Sequence, residues 1–227
     1  MDRLSTIVTS TVGRKVLNGL TGFFLCLFIT VHLLGNLLIV FNPEGFNVYA
    51  HTLESLGEIL IAVEIGLVLV FLIHAITAVS VWWNKLSARP DKYRMVKSVG
   101  APSRQTISSR TMIYTGIILG VFLVIHVIMF KYGPYYLTTH EGVQIRDLYK
   151  LVVEEFSKTW TVIAYEAVMI LLGFHLRHGF WSAFQSLGMN HPKYSPIIYV
   201  LGIIFAIVIA VGFLAIPPYI YFTGGAS

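Results

Sequence analysis

Long uncharged runs of apolar residues alternate with shorter polar stretches along the whole chain. The runs lie at about residues 16–41, 59–83, 112–130, 160–184 and 196–221. Each run is long enough to cross a bilayer as a helix, which takes roughly 20 residues. None has the alternation of a barrel strand, and a backbone in lipid must satisfy its hydrogen bonds internally. The pattern therefore predicts five transmembrane helices.

The composition agrees with this prediction. Hydrophobic residues make up 56% of the 227 residues and charged residues 12%, about half the charged fraction of a soluble domain. We expect an all-α integral membrane protein with a single membrane domain over residues 1–227. The polar stretch between the third and fourth runs contains residues 147–156, which we expect to form a short surface helix.

The placement of lysine and arginine predicts the orientation. These residues are concentrated at the N-terminus and in the loop at residues 84–111, whereas residues 42–58 contain neither. Loops rich in lysine and arginine stay in the cytoplasm. We therefore expect a cytoplasmic N-terminus, with the basic loop available to a peripheral protein. Because orientation explains the net charge of +5, we expect lipid around the chain and no nucleic-acid partner.

Four histidines lie within the first four apolar runs, at depths that match in pairs. At about 1.5 Å rise per residue, His32 and His126 lie roughly 15 and 9 Å from the outer end of their runs. On the same rise, His74 and His175 both lie roughly 22–24 Å from that end. An imidazole in an apolar span is unfavourable without a partner and is a functional-site hypothesis by default. The depths predict the pairs His32 with His126 and His74 with His175.

Two facing imidazoles at one depth suit a planar cofactor with two open axial positions, such as a haem, whose iron commonly binds histidine. A zinc site would require three or four ligands, with cysteine or carboxylate among them. Small residues such as Gly35, Ala78 and Gly179 leave room for a flat ring, although they also serve ordinary helix packing. We expect the first four helices to form a bundle that binds two haems. A proton relay along the histidines is the alternative interpretation.

Two motifs carry a family resemblance. Residues 175–188 read His-Leu-Arg-His-Gly-Phe-Trp-Ser-Ala-Phe-Gln-Ser-Leu-Gly, and residues 10–22 read Ser-Thr-Val-Gly-Arg-Lys-Val-Leu-Asn-Gly-Leu-Thr-Gly. Together with the surroundings of His32, His74 and His126, they resemble the cytochrome b membrane anchor of succinate dehydrogenase (succinate:quinone oxidoreductase, respiratory complex II). The resemblance covers the whole chain and is closest to the type in which one five-helix subunit carries two b haems.

The resemblance implies two haem b groups, with His32, His74, His126 and His175 as the axial ligands of the iron in the pairs given above. It also implies a flavoprotein subunit that oxidises succinate and an iron–sulfur subunit that passes the electrons to the anchor. The electrons would reach a quinone, which is menaquinone in the two-haem type, in the inner (cytoplasmic) membrane. The sequence has neither a dinucleotide fingerprint nor iron–sulfur cysteines, so we expect no succinate-oxidising site in it. A higher oligomer of the complex is left open.

Four more residues are candidates for supporting roles. His178 lies three residues after His175 and is an alternative ligand, but the family pattern of a histidine four residues before glycine favours His175. His178 and Arg177 are then candidate partners of haem propionates, or side chains that snorkel towards headgroups. Ser10 and Arg14 resemble the inner quinone pocket of single-haem relatives. This placement departs from the two-haem type, in which the quinone site is less settled.

Other functions fit parts of the same pattern. A fumarate reductase anchor, or another two-haem cytochrome b that oxidises quinol, would carry the same haem ligands. A haem-free transporter with a histidine proton relay belongs to a different class. The apolar runs contain neither the interruptions of broken helices nor an Asp/Lys pair, which argues against a transporter.

Overall fold

The computed structural model describes residues 10–88, 107–189 and 191–224, and these residues are mostly helical. Five helices are long and apolar enough to cross a membrane. These are α1 (Thr11–Phe41), α3 (Glu58–Ser87), α4 (Ile107–Phe130), α6 (Thr159–Ser186) and α7 (Ser195–Thr223). The shorter elements are α2 (Pro43–Glu54), β1 (Leu137–His140), β2 (Val143–Arg146) and α5 (Leu148–Phe156). The prediction of a mostly helical, multi-pass membrane protein with five long apolar helices is confirmed.

Each long helix extends past its apolar run, by up to five residues. The added residues are mainly polar, and polar residues continue a helix readily once it is nucleated. Most of the basic loop, at residues 89–106, lies outside the described residues.

The chain divides into two compact units. The first contains the described residues of Met1–Leu27, Leu67–Gly116 and Phe174–Ala206. The second contains those of Phe28–Gly66, Ile117–Gly173 and Ile207–Ser227. Because every division falls inside a long helix, all five long helices contribute to both units. The single membrane domain expected for residues 1–227 stays a prediction.

The second unit includes a small cap, formed by α2, β1, β2 and α5. The helix expected at residues 147–156 is confirmed as α5. Asp147 caps it by accepting a hydrogen bond from the Lys150 N–H at 3.0 Å. The pattern of apolar runs did not predict α2, although the sequence contains a signal for its start. Asn42 caps α2 through the Gly45 N–H at 3.0 Å, and Pro43 suits the first helical position because no N–H is needed there.

The β-hairpin of the cap was also not anticipated. Its strands pair antiparallel, and His140 lies opposite Val143, which leaves a two-residue turn. The turn residues Glu141 and Gly142 have φ angles of 49° and 81°. Two positive φ angles are the mark of a type I′ turn, which usually carries Asn-Gly or Asp-Gly. Glutamate at the first position explains why the sequence signal was weak.

Hydrogen bonds between polar side chains hold the cap together. The Asn47 amide donates a hydrogen bond to Asp147 Oδ1 at 2.9 Å, and its carbonyl oxygen accepts one from the Tyr149 N–H at 2.9 Å. These two bonds join α2 to the first turn of α5. The Tyr136 hydroxyl donates to Glu154 Oε2 at 2.7 Å, and this hydrogen bond is the main cause that raises the pKa of Tyr136.

Arg146 is the most buried cation among the described residues, with its side chain 7% exposed. Its Nη2 donates to the Phe130 carbonyl oxygen at 2.8 Å, at the end of α4. Its Nη1 lies 3.8 Å from Glu54 Oε1, which is too long for a hydrogen bond. Its Nε is buried and has no partner among the described residues. A buried guanidinium that is only partly paired is uncommon and calls for an anionic partner.

Candidate functional site

The first unit brings together the imidazoles of His74 and His175. His74 lies on α3 and His175 on α6. Their ring centroids are 6.5 Å apart and the ring planes make an angle of 68°. This is one of the two pairs that the depth count predicts.

The His74 ring is held by α1, and the contacts define which nitrogen carries the proton. Its Nδ1 lies 3.3 Å from the Asn18 carbonyl oxygen and 3.3 Å from the Thr21 hydroxyl. A carbonyl oxygen can only accept, and the Thr21 hydroxyl donates its own proton to the Leu17 carbonyl at 2.7 Å. The Nδ1 of His74 is therefore the donor to both oxygens, and Nε2 keeps its lone pair.

The His175 ring is held in the same way, from α4. Its Nδ1 lies 3.1 Å from the Thr115 hydroxyl. The Thr115 hydroxyl also lies 3.0 Å from the Met112 carbonyl oxygen, to which it can donate its proton. In that arrangement the hydroxyl oxygen accepts from the Nδ1–H of His175, and the Nε2 of His175 has the lone pair that a metal ion would bind.

The second unit brings together His32 on α1 and His126 on α4. Their ring centroids are 5.8 Å apart and the planes make an angle of 88°. The His126 Nδ1 lies 3.1 Å from the Tyr165 hydroxyl, whose other contact is Met129 Sδ at 3.7 Å. Either the imidazole or the phenol can donate, and a metal ion on Nε2 would select the tautomer in which His126 donates through Nδ1.

Aromatic rings surround the His32 and His126 pair. Phe28 stacks on the His32 ring with centroids 5.5 Å apart, and Phe213 lies 6.0 Å away. Phe122 and Phe130 lie 5.6 and 5.2 Å from the His126 ring. Such a shell keeps water and competing donors away from the imidazoles.

Glycines border the His74 and His175 rings. A Cβ atom added at Gly22 would lie 3.2 Å from His74 Cε1, and one at Gly116 would lie 3.4 Å from His175 Cε1. Both rings therefore lie directly against bare helix backbone. Larger residues at these two positions would push the rings from their present orientation.

The spacing of both pairs suits one metal ion between two imidazoles. With metal–nitrogen bonds of about 2 Å and ring centres about 1 Å behind the bonded nitrogens, two axial rings have centroids about 6 Å apart. The separations of 6.5 and 5.8 Å lie on either side of that value. No group of three or more His, Cys, Asp or Glu side chains is placed to hold a metal ion within the described ranges. A haem needs only two protein ligands, because the porphyrin supplies the other four nitrogens.

The predicted supporting residues of α6 have different surroundings. The Arg177 guanidinium donates to the Ser108 hydroxyl at 3.3 Å and to the Tyr199 hydroxyl at 2.9 Å. It thereby connects α6 with α4 and α7. His178 follows His175 by three residues and so lies on the same side of α6. The propionate contacts expected of Arg177 and His178 stay a prediction.

Ser10 and Arg14 lie at the start of α1 and have separate contacts. The Ser10 hydroxyl accepts a hydrogen bond from the Gly13 N–H at 3.0 Å, which caps the helix. The Arg14 guanidinium donates to the Ser80 hydroxyl on α3. Beside this contact is an open cavity of about 540 Å³, lined by Arg14, Ala75, Ile76, Val79, Ser80, Trp83 and Asn84. Arg14 is thus at a cavity, and Ser10 is not among its lining residues.

Sequence reasoning missed the hydroxyl groups that hold the histidines. Thr21, Thr115 and Tyr165 lie in apolar runs, where a threonine commonly bonds only to its own helix. The positions of the threonines and tyrosines along the sequence do not show which helix each side chain faces. The available signal was that Thr115 and Tyr165 fall at about the depth of His175 and His126. Thr21 lies more than one helical turn deeper than His74 by the same count and had no such signal.

The structure brings the four predicted histidines together as the two predicted pairs, each within one unit. Comparisons with protein-family models, with curated proteins and with solved structures found no match for this chain. A functional assignment therefore depends on the residues and contacts of the chain itself.

Proposed function

We propose that the chain is the two-haem cytochrome b membrane anchor of succinate dehydrogenase, which passes electrons from an iron–sulfur subunit through two b haems to a quinone. One observation carries the proposal. Two histidine pairs have ring separations of 6.5 and 5.8 Å, and in three of the four imidazoles Nδ1 lies within 3.1–3.3 Å of a hydroxyl oxygen. A single pair could be a packing contact, but two pairs in which Nδ1 is held in this way favour a shared ligand chemistry through Nε2.

The surroundings of the histidines support a haem in particular. A haem carries propionate groups, which favour cationic partners when they are buried. In the second unit, Arg146 holds the Phe130 carbonyl oxygen, four residues beyond His126. Its buried Nε has no partner among the described residues and would suit a propionate oxygen. In the first unit, His178 is the candidate for this role, with Arg177 as the second.

The protein residues would have three tasks. When bound, the haems supply iron centres that accept and release one electron at a time. The four histidines would hold the iron from both sides, and Thr21, Thr115 and Tyr165 would fix the proton on Nδ1. Phe28, Phe122 and Phe213 would exclude water from the pair in the second unit. The flavoprotein and iron–sulfur subunits would deliver electrons to the cytoplasmic side of the inner membrane, where the N-terminus would also lie.

The cavity beside Arg14 supports a quinone site in the first unit. Ligand pockets are mostly apolar, with a few polar groups that orient the ligand. Here Ile76, Val79 and Trp83 supply the apolar surface, and Arg14, Ser80 and Asn84 supply the polar groups. A quinone ring could pack on the indole, with a carbonyl oxygen accepting from Arg14 or Asn84. Menaquinone is the quinone that we propose.

Haem content tests the proposal directly. The purified chain is expected to yield two protohaems per polypeptide in a pyridine haemochrome assay. A value of zero would exclude every haem function and leave the histidine relay of a transporter as the alternative.

The partner subunits distinguish the haem functions from one another. Copurification with a covalently flavinylated subunit and an iron–sulfur subunit is expected for the succinate dehydrogenase or fumarate reductase anchor. A molybdenum-containing partner would instead indicate a quinol-oxidising cytochrome of another complex.

A further inference from the structure

We propose that Tyr165 is a positioning residue for His126, which it holds in the tautomer and orientation that an axial iron ligand requires. The inference rests on the proposed function, because it gives Tyr165 a role towards the iron that His32 and His126 would bind. It extends that function to a specific expectation: Tyr165 adjusts the reduction potential of one haem and not of the other.

The hydroxyl of Tyr165 has two hydrogen-bond contacts, His126 Nδ1 at 3.1 Å and Met129 Sδ at 3.7 Å. Iron on the Nε2 of His126 would require the proton of the neutral imidazole to be on Nδ1. The phenol oxygen would then accept from Nδ1–H, and Met129 Sδ is in place to accept the phenol proton.

Packing keeps the phenol in place. Tyr165 is 8% exposed. Its ring contacts Phe122 and Phe156 edge to face, with centroids 4.9 Å apart in both cases, and Phe130 lies 6.3 Å away. These neighbours offer no strong hydrogen-bond acceptor, so the phenol oxygen is the polar partner of the His126 ring in this shell. Loss of that oxygen would leave a buried N–H unpaired.

The two histidine pairs differ in the oxygen that lies beside Nδ1. For His74 and His175 it is a threonine hydroxyl, joined at His74 by the Asn18 carbonyl oxygen, whereas for His126 it is a phenol oxygen. An acceptor on Nδ1–H increases the basicity of the imidazole as a ligand. A more basic ligand stabilises the ferric form over the ferrous form and lowers the reduction potential. Removing the phenol oxygen should therefore raise the potential of the haem held by His32 and His126.

The test is a redox titration of Tyr165→Phe in the assembled complex, followed by haem absorbance. The titration step of the His32 and His126 haem is identified as the one that disappears in His32→Ala. We expect two haems per chain in Tyr165→Phe and an upward shift of that step alone. If the ferric form becomes tenfold less stable relative to the ferrous form, the reduction potential rises by about 59 mV for this one-electron couple.

Tyr221→Phe is the matched control, because it removes a phenol of the same unit that bonds only to Thr159 among the described residues. It should shift neither step.

The outcomes separate this inference from the proposed function. If the wild-type chain binds no haem, both fail. If Tyr165→Phe binds two haems and neither step moves, or both move equally, the positioning role is overturned and the haem function stands. If Tyr165→Phe loses the haem, the redox titration is repeated on Met129→Leu, and the positioning role is again judged by whether only the step of the His32 and His126 haem moves. That variant frees the phenol proton to compete for His126 Nδ1, so a shift confined to the same step supports the role.

Discussion

His74 on α3 and His175 on α6 face each other with ring centroids 6.5 Å apart, although 101 residues separate them in the chain. Each ring is fixed by a threonine hydroxyl from a third or fourth helix, Thr21 on α1 and Thr115 on α4. Four helices thus determine the position of two side chains. Such preorganisation is what a bis-imidazole metal site requires, and it makes the pair sensitive to single substitutions.

Replacing His74 with alanine should remove one haem and spare the other. The His32 and His126 pair lies in the other unit and shares none of the contacts described for His74. The haem content measured in the haemochrome assay should therefore fall from two haems per chain to one. His140→Ala is the control, because this histidine lies on the hairpin and pairs with exposed Glu44. Loss of both haems at a normal protein level would contradict the pairing.

Gly22→Val should reduce haem binding at the same pair. The added Cβ would lie 3.2 Å from His74 Cε1, and overpacking of this kind costs about 1–3 kcal/mol. We expect one haem to be retained less tightly during purification. Gly66→Val is the matched control, because a Cβ at Gly66 meets nothing within 4 Å. Equal haem loss in the two variants would mean that the clearance beside His74 is not needed.

Thr115→Val should shift the potential of the haem held by His74 and His175 upwards. Valine has nearly the same shape but cannot accept from the His175 Nδ1–H, and an unpaired buried donor costs about 1–3 kcal/mol. The redox titration should show one displaced step, different from the step that Tyr165→Phe displaces. Thr111→Val on the same helix is the control, since its hydroxyl bonds to the Ile107 carbonyl oxygen of its own helix. An unchanged titration of Thr115→Val would show that this hydrogen bond has no influence on the iron.

Ser80→Val should weaken quinone reduction by the complex. The substitution removes the acceptor that holds the Arg14 guanidinium at the cavity and places an apolar group beside it. We expect roughly a tenfold increase in the KM for quinone, as for the loss of about 1.4 kcal/mol of binding, with haem content unchanged. Ser87→Val, at the exposed end of α3, controls for the serine-to-valine change. A normal KM in Ser80→Val would place the quinone elsewhere.

Asn47→Leu should destabilise the cap. It removes two hydrogen bonds of 2.9 Å each, and at about 1 kcal/mol per bond the loss is roughly 2–3 kcal/mol once the unpaired groups are included. Limited proteolysis in detergent should cleave the variant faster within the cap. Thr52→Val is the control, because the Thr52 hydroxyl is exposed and bonds only to the Val48 carbonyl oxygen among the described residues. Equal cleavage rates would show that Asn47 does not hold α2 to α5.

The long helices and the histidine pairs could be predicted because both follow from one-dimensional regularities. An apolar run of about 20 residues has few options other than a membrane helix. A constant rise per residue then converts sequence position into depth. His32 and His126 could be paired in this way without knowledge of which helices are neighbours.

The cap and the hydroxyl partners could not be predicted, for different physical reasons. The hairpin turns at Glu141, an uncommon residue for a left-handed conformation, so its local signal was weak. Tyr165 and Thr115 reach a histidine only because of the direction in which they point around their helix axis. Depth along the helix does not define that direction. The direction of Arg177 was likewise not evident, since its contact with Tyr199 depends on where α7 lies.

The long sequence separation between Asn47 and its hydrogen-bond partners matters while the chain is being synthesised. Its two partners lie 100 and 102 residues further along the chain. At a synthesis rate of roughly 5–20 residues per second, α2 would wait about 5–20 s before they emerge. During that interval, the buried face of α2, with Phe46 and Asn47, has no native neighbour in α5. The newly made chain therefore exposes an apolar and amide surface until the third long helix and the segment after it are in place, and this interval is when a chaperone would be most useful.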